Sequence, residues 1–233
     1  MFTFILYNEY GKGKKFLCIH ILFMKWREEK EMYWFMRPEF KLARECAKEV
    51  LKNIEYQYGS LVPTADIMGT VEKMTNVDVK FREIDFAKFD DEDTGGHFSR
   101  YGAAMYVSPG EEKREARILL NQRETAEMQR FSLVHELGHL MLNNMHRSEN
   151  GFLFSSHIDM DITSIPEDRL NDEDQFLVGE QAANIFALLV LIPYDALIFA
   201  FKKYTSLDDI AKVFGVEKDA VVSRIMLETT GAV

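Results

Sequence analysis

The stretch that decides the fold of this chain is His135-Glu136-Leu137-Gly138-His139. In an α-helix, residues four apart lie about 40° apart around the axis, so both imidazoles would project from one face. Two neutral imidazole nitrogens on one face can bind a single Zn²⁺, and Glu136 would lie within reach of a metal-bound water. The spacing therefore predicts a helix carrying a zinc site of the kind found in peptidases. The alternative is a helix whose histidines face solvent and whose glutamate pairs with a neighbour.

The flanking residues strengthen the prediction of a helix. Thr125 is the expected N-cap, and Glu127 falls in the first turn, where the helix dipole favours an anion. Apolar residues recur at intervals of three and four, at Leu133, Val134, Leu137, Leu140 and Met141. The two histidines lie beside this stripe, so we expect them at the wall of a cleft. We interpret Gly138 as a place where a strand or a substrate backbone approaches the helix; the alternative is a weak position of the helix with no such role.

A third metal ligand is expected downstream, because zinc held by two histidines needs at least one more protein ligand. Glu180 opens a run that is apolar almost throughout up to Pro193, and a helix apolar on all sides is buried. A carboxylate in such a helix needs a cation beside it. Asn184 shares the face of Glu180 and could hydrogen-bond a liganding imidazole, while Ala183 and Ala187 would let another helix approach. The alternative is that Glu180 is an ordinary exposed first-turn acid.

These two segments resemble the signature of the ImmA/IrrE metallopeptidases, in which an R-F-[ST]-x-x-H-E-L-G-H helix precedes an E-x-x-A-N-x-F-A…P helix. Here the first motif spans Arg130–His139 and the second spans Glu180–Ala187. The resemblance covers the chain from Arg37 to its C-terminus. One departure is Ala182, where many members carry an acid. Carried over by position, the resemblance implies that His135, His139 and Glu180 are zinc ligands. It implies that Glu136 is the general base.

The resemblance also implies an activity and a partner. A zinc-dependent endopeptidase of this family would cleave a regulatory protein, such as a transcriptional repressor encoded nearby on a mobile element. The alternatives are a zinc-containing transcriptional regulator that hydrolyses nothing, and a partner-binding protein of the toxin–antitoxin kind. An intact glutamate between the histidines favours the hydrolase, because a purely structural zinc site needs no base.

The order of predicted elements fits an α+β, zincin-like domain, mainly helical with a small antiparallel or mixed sheet. We expect helices from Pro38 and over Ala65–Met74, a strand over Val77–Ile84, and paired strands within Arg100–Val107 and Ala116–Asn121. In zincins an edge strand holds an extended substrate by main-chain hydrogen bonds, and we place that strand within residues 102–107.

Three regions are expected along the chain. Residues 1–36 form an N-terminal extension that need not belong to the domain, residues 37–203 form the metallopeptidase domain, and residues 204–233 form a helix-turn-helix-like segment packed on it. Between the two motifs, residues 143–179 predict a flap or insertion near the cleft. That connection contains His146 and His157, which we interpret as surface histidines, the alternative being that one polarises a substrate carbonyl or stabilises an oxyanion. It also contains Glu173, the reserve candidate for the third ligand.

Composition limits the other function classes. The formal net charge of −10 disfavours nucleic-acid binding by the surface as a whole. Two cysteines, Cys18 and Cys46, are too few for a disulfide scaffold, so we expect a reducing, cytoplasmic setting. No stretch reaches the roughly 20 apolar residues that span a bilayer.

Overall fold

The fold is taken from a computed structural model, which describes residues 5–6, 17–18, 38–89, 103–108, 114–146 and 173–229. Its helices, in chain order, are α1 (Pro38–Lys52), α2 (Thr64–Thr75), α3 (Ala126–His146), α4 (Glu173–Leu191), α5 (Tyr194–Lys203), α6 (Leu207–Phe214) and α7 (Lys218–Thr229). Its strands are β1 (Ile5–Leu6), β2 (Leu17–Cys18), β3 (Val77–Ile84), β4 (Ala103–Ser108) and β5 (Arg114–Asn121). The domain is thus an α+β domain dominated by helices.

A three-stranded mixed sheet lies beside the helices, with the strand order β3-β5-β4. Strand β3 runs parallel to β5, with Val79 opposite Ala116, whereas β4 runs antiparallel to β5, with Met105 opposite Ile118. All four of these side chains are buried. Alternate residues of a strand share one face, so they form the inner face of the sheet, and α3 packs against β4 and β5.

Little of the N-terminal extension falls within the described residues. Strands β1 and β2 form an antiparallel pair of two residues each, with Ile5 opposite Cys18. The remainder of residues 1–36 lies outside the described ranges, as do residues 147–172, which form most of the predicted flap. The ends of that predicted region, residues 143–146 and 173–179, belong to α3 and α4. The division of the chain at residues 36 and 203 therefore stays a prediction.

Helix α4 is the central element of the core. From Ala182 to Ile192 almost every side chain is buried, and α4 packs against both α1 and α3. The contact with α3 is closest at Gly138, where an added Cβ would lie 2.9 Å from Cδ1 of Phe186 and 3.3 Å from the carbonyl oxygen of Ala183. The interpretation of Gly138 as a site of strand or substrate approach was wrong. The missing side chain lets α4 approach instead.

The ends of the helices follow ordinary capping chemistry. Thr125 Oγ1 accepts a hydrogen bond from the backbone N–H of Met128 at 3.1 Å, as its N-cap position predicts. Pro193 separates α4 from α5, and the two helix axes differ by 55°. Within the described ranges no single helix has the length and apolar character to cross a membrane, although this bent pair meets those two criteria together. Its α4 half is the buried core helix.

The C-terminal helices α6 and α7 meet at Gly215, whose φ of 58° is in the left-handed region that glycine adopts without strain. They pack on the rest of the domain through specific contacts. Thr125 Oγ1 donates to Glu217 Oε1 at 2.8 Å, which joins the start of α3 to the start of α7. Buried Arg224 donates from Nε to the carbonyl oxygen of Ile192 at 3.0 Å, which joins α7 to the end of α4.

Candidate metal centre

The two histidines of α3 face the same point, as their spacing predicted. Nε2 of His135 lies 3.1 Å from Nε2 of His139, and their rings meet nearly edge to face. Both side chains are largely withdrawn from solvent, with exposed fractions of 13% and 3%. Two imidazole nitrogens at this separation need either a proton or a cation between them, because two nitrogen lone pairs repel each other.

Glu180 supplies the third group from α4. Its Oε2 lies 3.2 Å from Nε2 of His135, and its Oε1 lies 3.1 Å from Nε2 of His139. Glu180 does not open its helix, as the sequence had suggested, because α4 begins seven residues earlier at Glu173. The residues in between are compatible with a helix, so the change to an apolar composition does not mark the helix start. The close packing of α4 on α3 at Gly138 brings the carboxylate to the imidazoles.

The geometry fits a tetrahedral metal ion. The three groups offer ligand atoms within 4.8 Å of one another. In the described part of the chain, they are the group of side chains close enough together to hold a metal ion. Ligands at about 2.0–2.1 Å from a tetrahedral zinc ion are separated from one another by about 3.3 Å. The two imidazole nitrogens are 3.1 Å apart, and each lies 3.1–3.2 Å from a different carboxylate oxygen of Glu180, which are separations close to that value. The residues present therefore fit a metal site with a fourth position left open.

The electrostatics of the three groups also favour a cation. Burial would lower the pKa of His135, but its hydrogen bond to Glu180 and the charges of Glu136 and Glu180 outweigh burial, so the net pKa is raised. Burial would likewise raise the pKa of Glu180, but hydrogen bonds from both histidines bring it well below its usual range. Glu180 thus stays ionised and attracts positive charge to the point between the imidazoles.

Residues 77–226 match the family model Peptidase_M78, described as the IrrE N-terminal-like domain. The match covers well over half of the chain. The protein belongs to the ImmA/IrrE metallopeptidase family. A comparison with curated proteins gives no match. The matched region begins with β3 and extends into α7, so in this ImmA/IrrE metallopeptidase the C-terminal helical pair lies largely inside the family domain.

Asn184 contacts the cluster of this ImmA/IrrE protein from outside. Its Oδ1 lies 2.9 Å from Nδ1 of His135, one helical turn after Glu180 on the same helix face. An amide oxygen is an acceptor, so Nδ1 of His135 carries a proton, and in the neutral imidazole Nε2 then keeps a free lone pair for a metal. That tautomer is the one that points a ligand nitrogen toward Glu180 and His139.

Glu136 is the remaining titratable group of the motif. Its side chain is buried, with an exposed fraction of 9% for the residue, and it interacts electrostatically with His135, His139 and Glu180. Burial raises the pKa of Glu136 above its ordinary value, and the neighbouring histidines only partly offset this. A carboxylate whose pKa is raised binds a proton more tightly, which suits a general base.

Three other residues were candidates on the sequence alone, namely Glu173, His146 and His157. Glu173 precedes Glu180 by seven residues of one helix, about 10.5 Å along its axis, so it is not needed as the third ligand. The side chains of Glu173 and His146, and the whole of His157, lie outside the described residues.

Arg130, the first residue of the motif, binds acceptors from distant parts of the chain. Its guanidinium donates to the carbonyl oxygens of Val62, Phe214 and Gly215 and, from Nε, to Thr64 Oγ1 at 3.0 Å. Burial lowers the pKa of Arg130 to about 10, which leaves it charged at neutral pH. Arg130 therefore joins the metal helix α3 to the start of α2 and to the end of α6. Because these acceptors are 66 or more residues away, no local pattern in the sequence could have revealed them.

Proposed function

We propose that the protein is a zinc-dependent endopeptidase that cleaves a regulatory protein, with a transcriptional repressor as the expected substrate class. The observation that carries the proposal is the meeting of His135, His139 and Glu180 within 4.8 Å, with Glu136 buried and in electrostatic interaction with all three. Membership of a metallopeptidase family supports the hydrolytic activity.

Nε2 of His135, Nε2 of His139 and the carboxylate of Glu180 would hold the ion. Two imidazoles and one carboxylate, with a fourth position open, are the ligand set of catalytic zinc sites. Bound there, zinc would polarise a substrate carbonyl and lower the pKa of a water molecule toward about 7. Asn184 would keep His135 in the tautomer that can bind the metal.

Glu136 would act as the general base and then as the general acid. It accepts a proton from the attacking water as the water oxygen bonds to the carbonyl carbon of the peptide. As the carbon–nitrogen bond breaks, Glu136 passes that proton to the departing nitrogen. Water is thereby divided between a new carboxyl group and a new amine, and the glutamate returns to its ionised form.

The edge strand β4 would position the substrate. It is the last strand of the order β3-β5-β4, so among the described residues one of its edges has no strand partner, and α3 packs beside it. An extended peptide that adds to a free strand edge gains main-chain hydrogen bonds without any requirement for a particular sequence. This role agrees with the substrate strand expected within residues 102–107.

Three parts of the proposal are supported by the family resemblance and the composition. They are a repressor as substrate, a cytoplasmic setting and no direct binding of nucleic acid. A net charge of −10 disfavours contact with phosphate backbones and favours a protein substrate. The contacts of α6 and α7 with Thr125, Arg130 and Ile192 support a packing role for the C-terminal helical pair.

The test is co-expression with the repressor-like protein encoded beside this chain, followed by an immunoblot of that protein and a reporter of its promoter. Wild-type protein should cleave the repressor and relieve repression. Glu136→Gln should retain bound zinc and lose cleavage, because it removes the base and leaves the three ligands. Glu127→Gln is the matched control, since it makes the same substitution at an exposed position in the first turn of α3 and should cleave like wild type.

The outcomes separate the competing functions. If wild type and Glu136→Gln relieve repression equally and the repressor stays intact, the protein is a non-hydrolytic regulator. If both variants bind a small neighbouring protein without changing its length, the toxin–antitoxin alternative replaces the peptidase. Zinc-dependent shortening of the repressor by wild type alone supports the proposal.

A further inference from the structure

We propose that Asn143 is a positioning residue that accepts a hydrogen bond from Nδ1 of His139 when the metal site is filled. This inference rests on the proposed function, because it assigns a partner to one of the zinc ligands. It would give each liganding histidine its own asparagine, with Asn184 serving His135 and Asn143 serving His139.

The first observation is the environment of His139. The residue is 2% exposed, and its Nδ1 is buried without a hydrogen-bond partner in the described part of the chain. When Nε2 binds a metal, the neutral imidazole carries its proton on Nδ1. A buried N–H without an acceptor is unfavourable, and metal-liganding histidines almost always donate this proton to an oxygen.

The second observation is a buried acceptor that also lacks a hydrogen-bond partner among the described residues. Oδ1 of Asn143 is buried and has no hydrogen-bond partner among the described residues. Asn143 follows His139 by four residues on α3, so the two lie on one face about one turn apart. Side chains on a helix lean toward its N-terminus, which directs Asn143 back over the turn of His139. Asn143 also follows Glu136 by seven residues, which places it on the face that carries the general base.

The two unsatisfied atoms would satisfy each other, directly or through one bridging water. The other buried acceptors without hydrogen-bond partners in the described ranges are Oε2 of Glu39, Oδ1 of Asp85 and Oε1 of Glu228. Asp85 and Glu228 are each occupied by an ion pair with an arginine, Arg123 and Arg224. Glu39, at the start of α1, is thus the competing acceptor, and the experiment includes it.

The experiment measures zinc affinity by competition with a chromophoric chelator, together with the thermal stability of the metal-free protein. Asn143→Ala should weaken zinc binding by about 10- to 100-fold, the usual effect of removing the partner of a liganding histidine. Asn143→Asp should restore the affinity, because it keeps an acceptor oxygen in place. Asn144→Ala is the matched control, since its Nδ2 donates to the carbonyl oxygen of Met74 at 3.2 Å, and its loss should leave zinc affinity unchanged.

Several results would overturn the inference. One is zinc binding by Asn143→Ala as tight as that of wild type, and another is failure of Asn143→Asp to restore the zinc affinity. The others are an equal fall of zinc affinity in Asn143→Ala and Asn144→Ala, and a fall in Glu39→Ala but not in Asn143→Ala. Failure of the wild-type protein to bind zinc would instead remove the proposed function itself.

A measurement on wild-type protein keeps the test independent of any variant that fails to fold. In histidine-labelled, zinc-loaded protein, the Nδ1 proton of His139 should be visible by NMR and protected from exchange with water. An Nδ1 proton that exchanges as fast as that of a solvent-exposed histidine would contradict the hydrogen bond.

Discussion

Replacing Gly138 with Ala should fail to raise the free energy of unfolding and should weaken zinc binding, whereas the same replacement at Gly69 should raise the free energy of unfolding. Both glycines lie in helix interiors, Gly138 in α3 and Gly69 in α2. Alanine is favoured over glycine in a helix by about 1 kcal/mol, so each substitution gains a similar amount from backbone propensity. A Cβ at Gly69 would meet nothing within 4 Å, so Gly69→Ala should raise the free energy of unfolding by about that amount.

At Gly138 the added methyl group meets the core. It would lie 2.9 Å from Cδ1 of Phe186, 3.3 Å from Cβ of the same residue and 3.3 Å from the carbonyl oxygen of Ala183. Phe186 is fully buried and the carbonyl is backbone, so α3 and α4 must separate by a few tenths of an ångström. Overpacking of this kind costs about 1–3 kcal/mol, which leaves Gly138→Ala between neutral and about 2 kcal/mol less stable than wild type.

The assay is urea denaturation of both variants in the presence of a chelator, with zinc affinity measured separately. Glu180 lies three residues before Ala183 on α4, so displacing that helix moves the carboxylate away from the imidazoles and should weaken zinc binding in Gly138→Ala alone. If Gly138→Ala gains as much stability as Gly69→Ala and binds zinc like wild type, the close approach of α4 does not position the site.

The remaining predictions concern the metal, a buried arginine and a buried thiol. In a calorimetric scan, chelator should lower the melting temperature of zinc-loaded wild type, since zinc at 1,000 times its Kd stabilises the folded state by about 4 kcal/mol. In Glu180→Gln the melting temperatures with and without chelator should differ by less. In a urea titration, Arg130→Met should lower the free energy of unfolding by about 3 kcal/mol or more, because it leaves buried carbonyl oxygens unpaired. Arg117→Met, at an exposed ion pair, should change the free energy of unfolding by less than about 1 kcal/mol in the same titration. Burial raises the pKa of Cys46 to about 12, so its thiol stays protonated at pH 8–9. In a Cys18→Ser background, iodoacetamide should therefore label Cys46 at that pH only after unfolding. Rapid labelling of the folded protein at pH 8 would contradict the buried position.

Local patterns in the sequence were sufficient for the elements that depend on neighbouring residues. The strand over Val77–Ile84 has the predicted bounds, and α2 at Thr64–Thr75 extends the expected helix by one residue at each end. The helix carrying His135 and His139 followed from their spacing, and Glu180 followed from the need to neutralise a carboxylate in an apolar helix. For the strand and the helices the physical cause acts within a few residues or one helical turn, whereas the approach of Glu180 to the histidines depends on the packing of α4 against α3.

Contacts between distant parts of the chain could not be predicted in the same way. The parallel pairing of β3 with β5 depends on which strands meet, and an amphipathic strand can pair in either direction. The neighbour of Gly138 is a residue of α4, 48 positions away, and a glycine alone does not specify what approaches it. Arg130 likewise shows its role only when its distant acceptors are known.

The most direct measurement is anomalous X-ray diffraction at the zinc absorption edge from crystals of the zinc-loaded protein. We expect one strong peak at about 2.0–2.1 Å from Nε2 of His135, from Nε2 of His139 and from a carboxylate oxygen of Glu180. A zinc peak bound elsewhere, with these three side chains uncoordinated in the presence of excess zinc, would contradict the assignment of the metal centre.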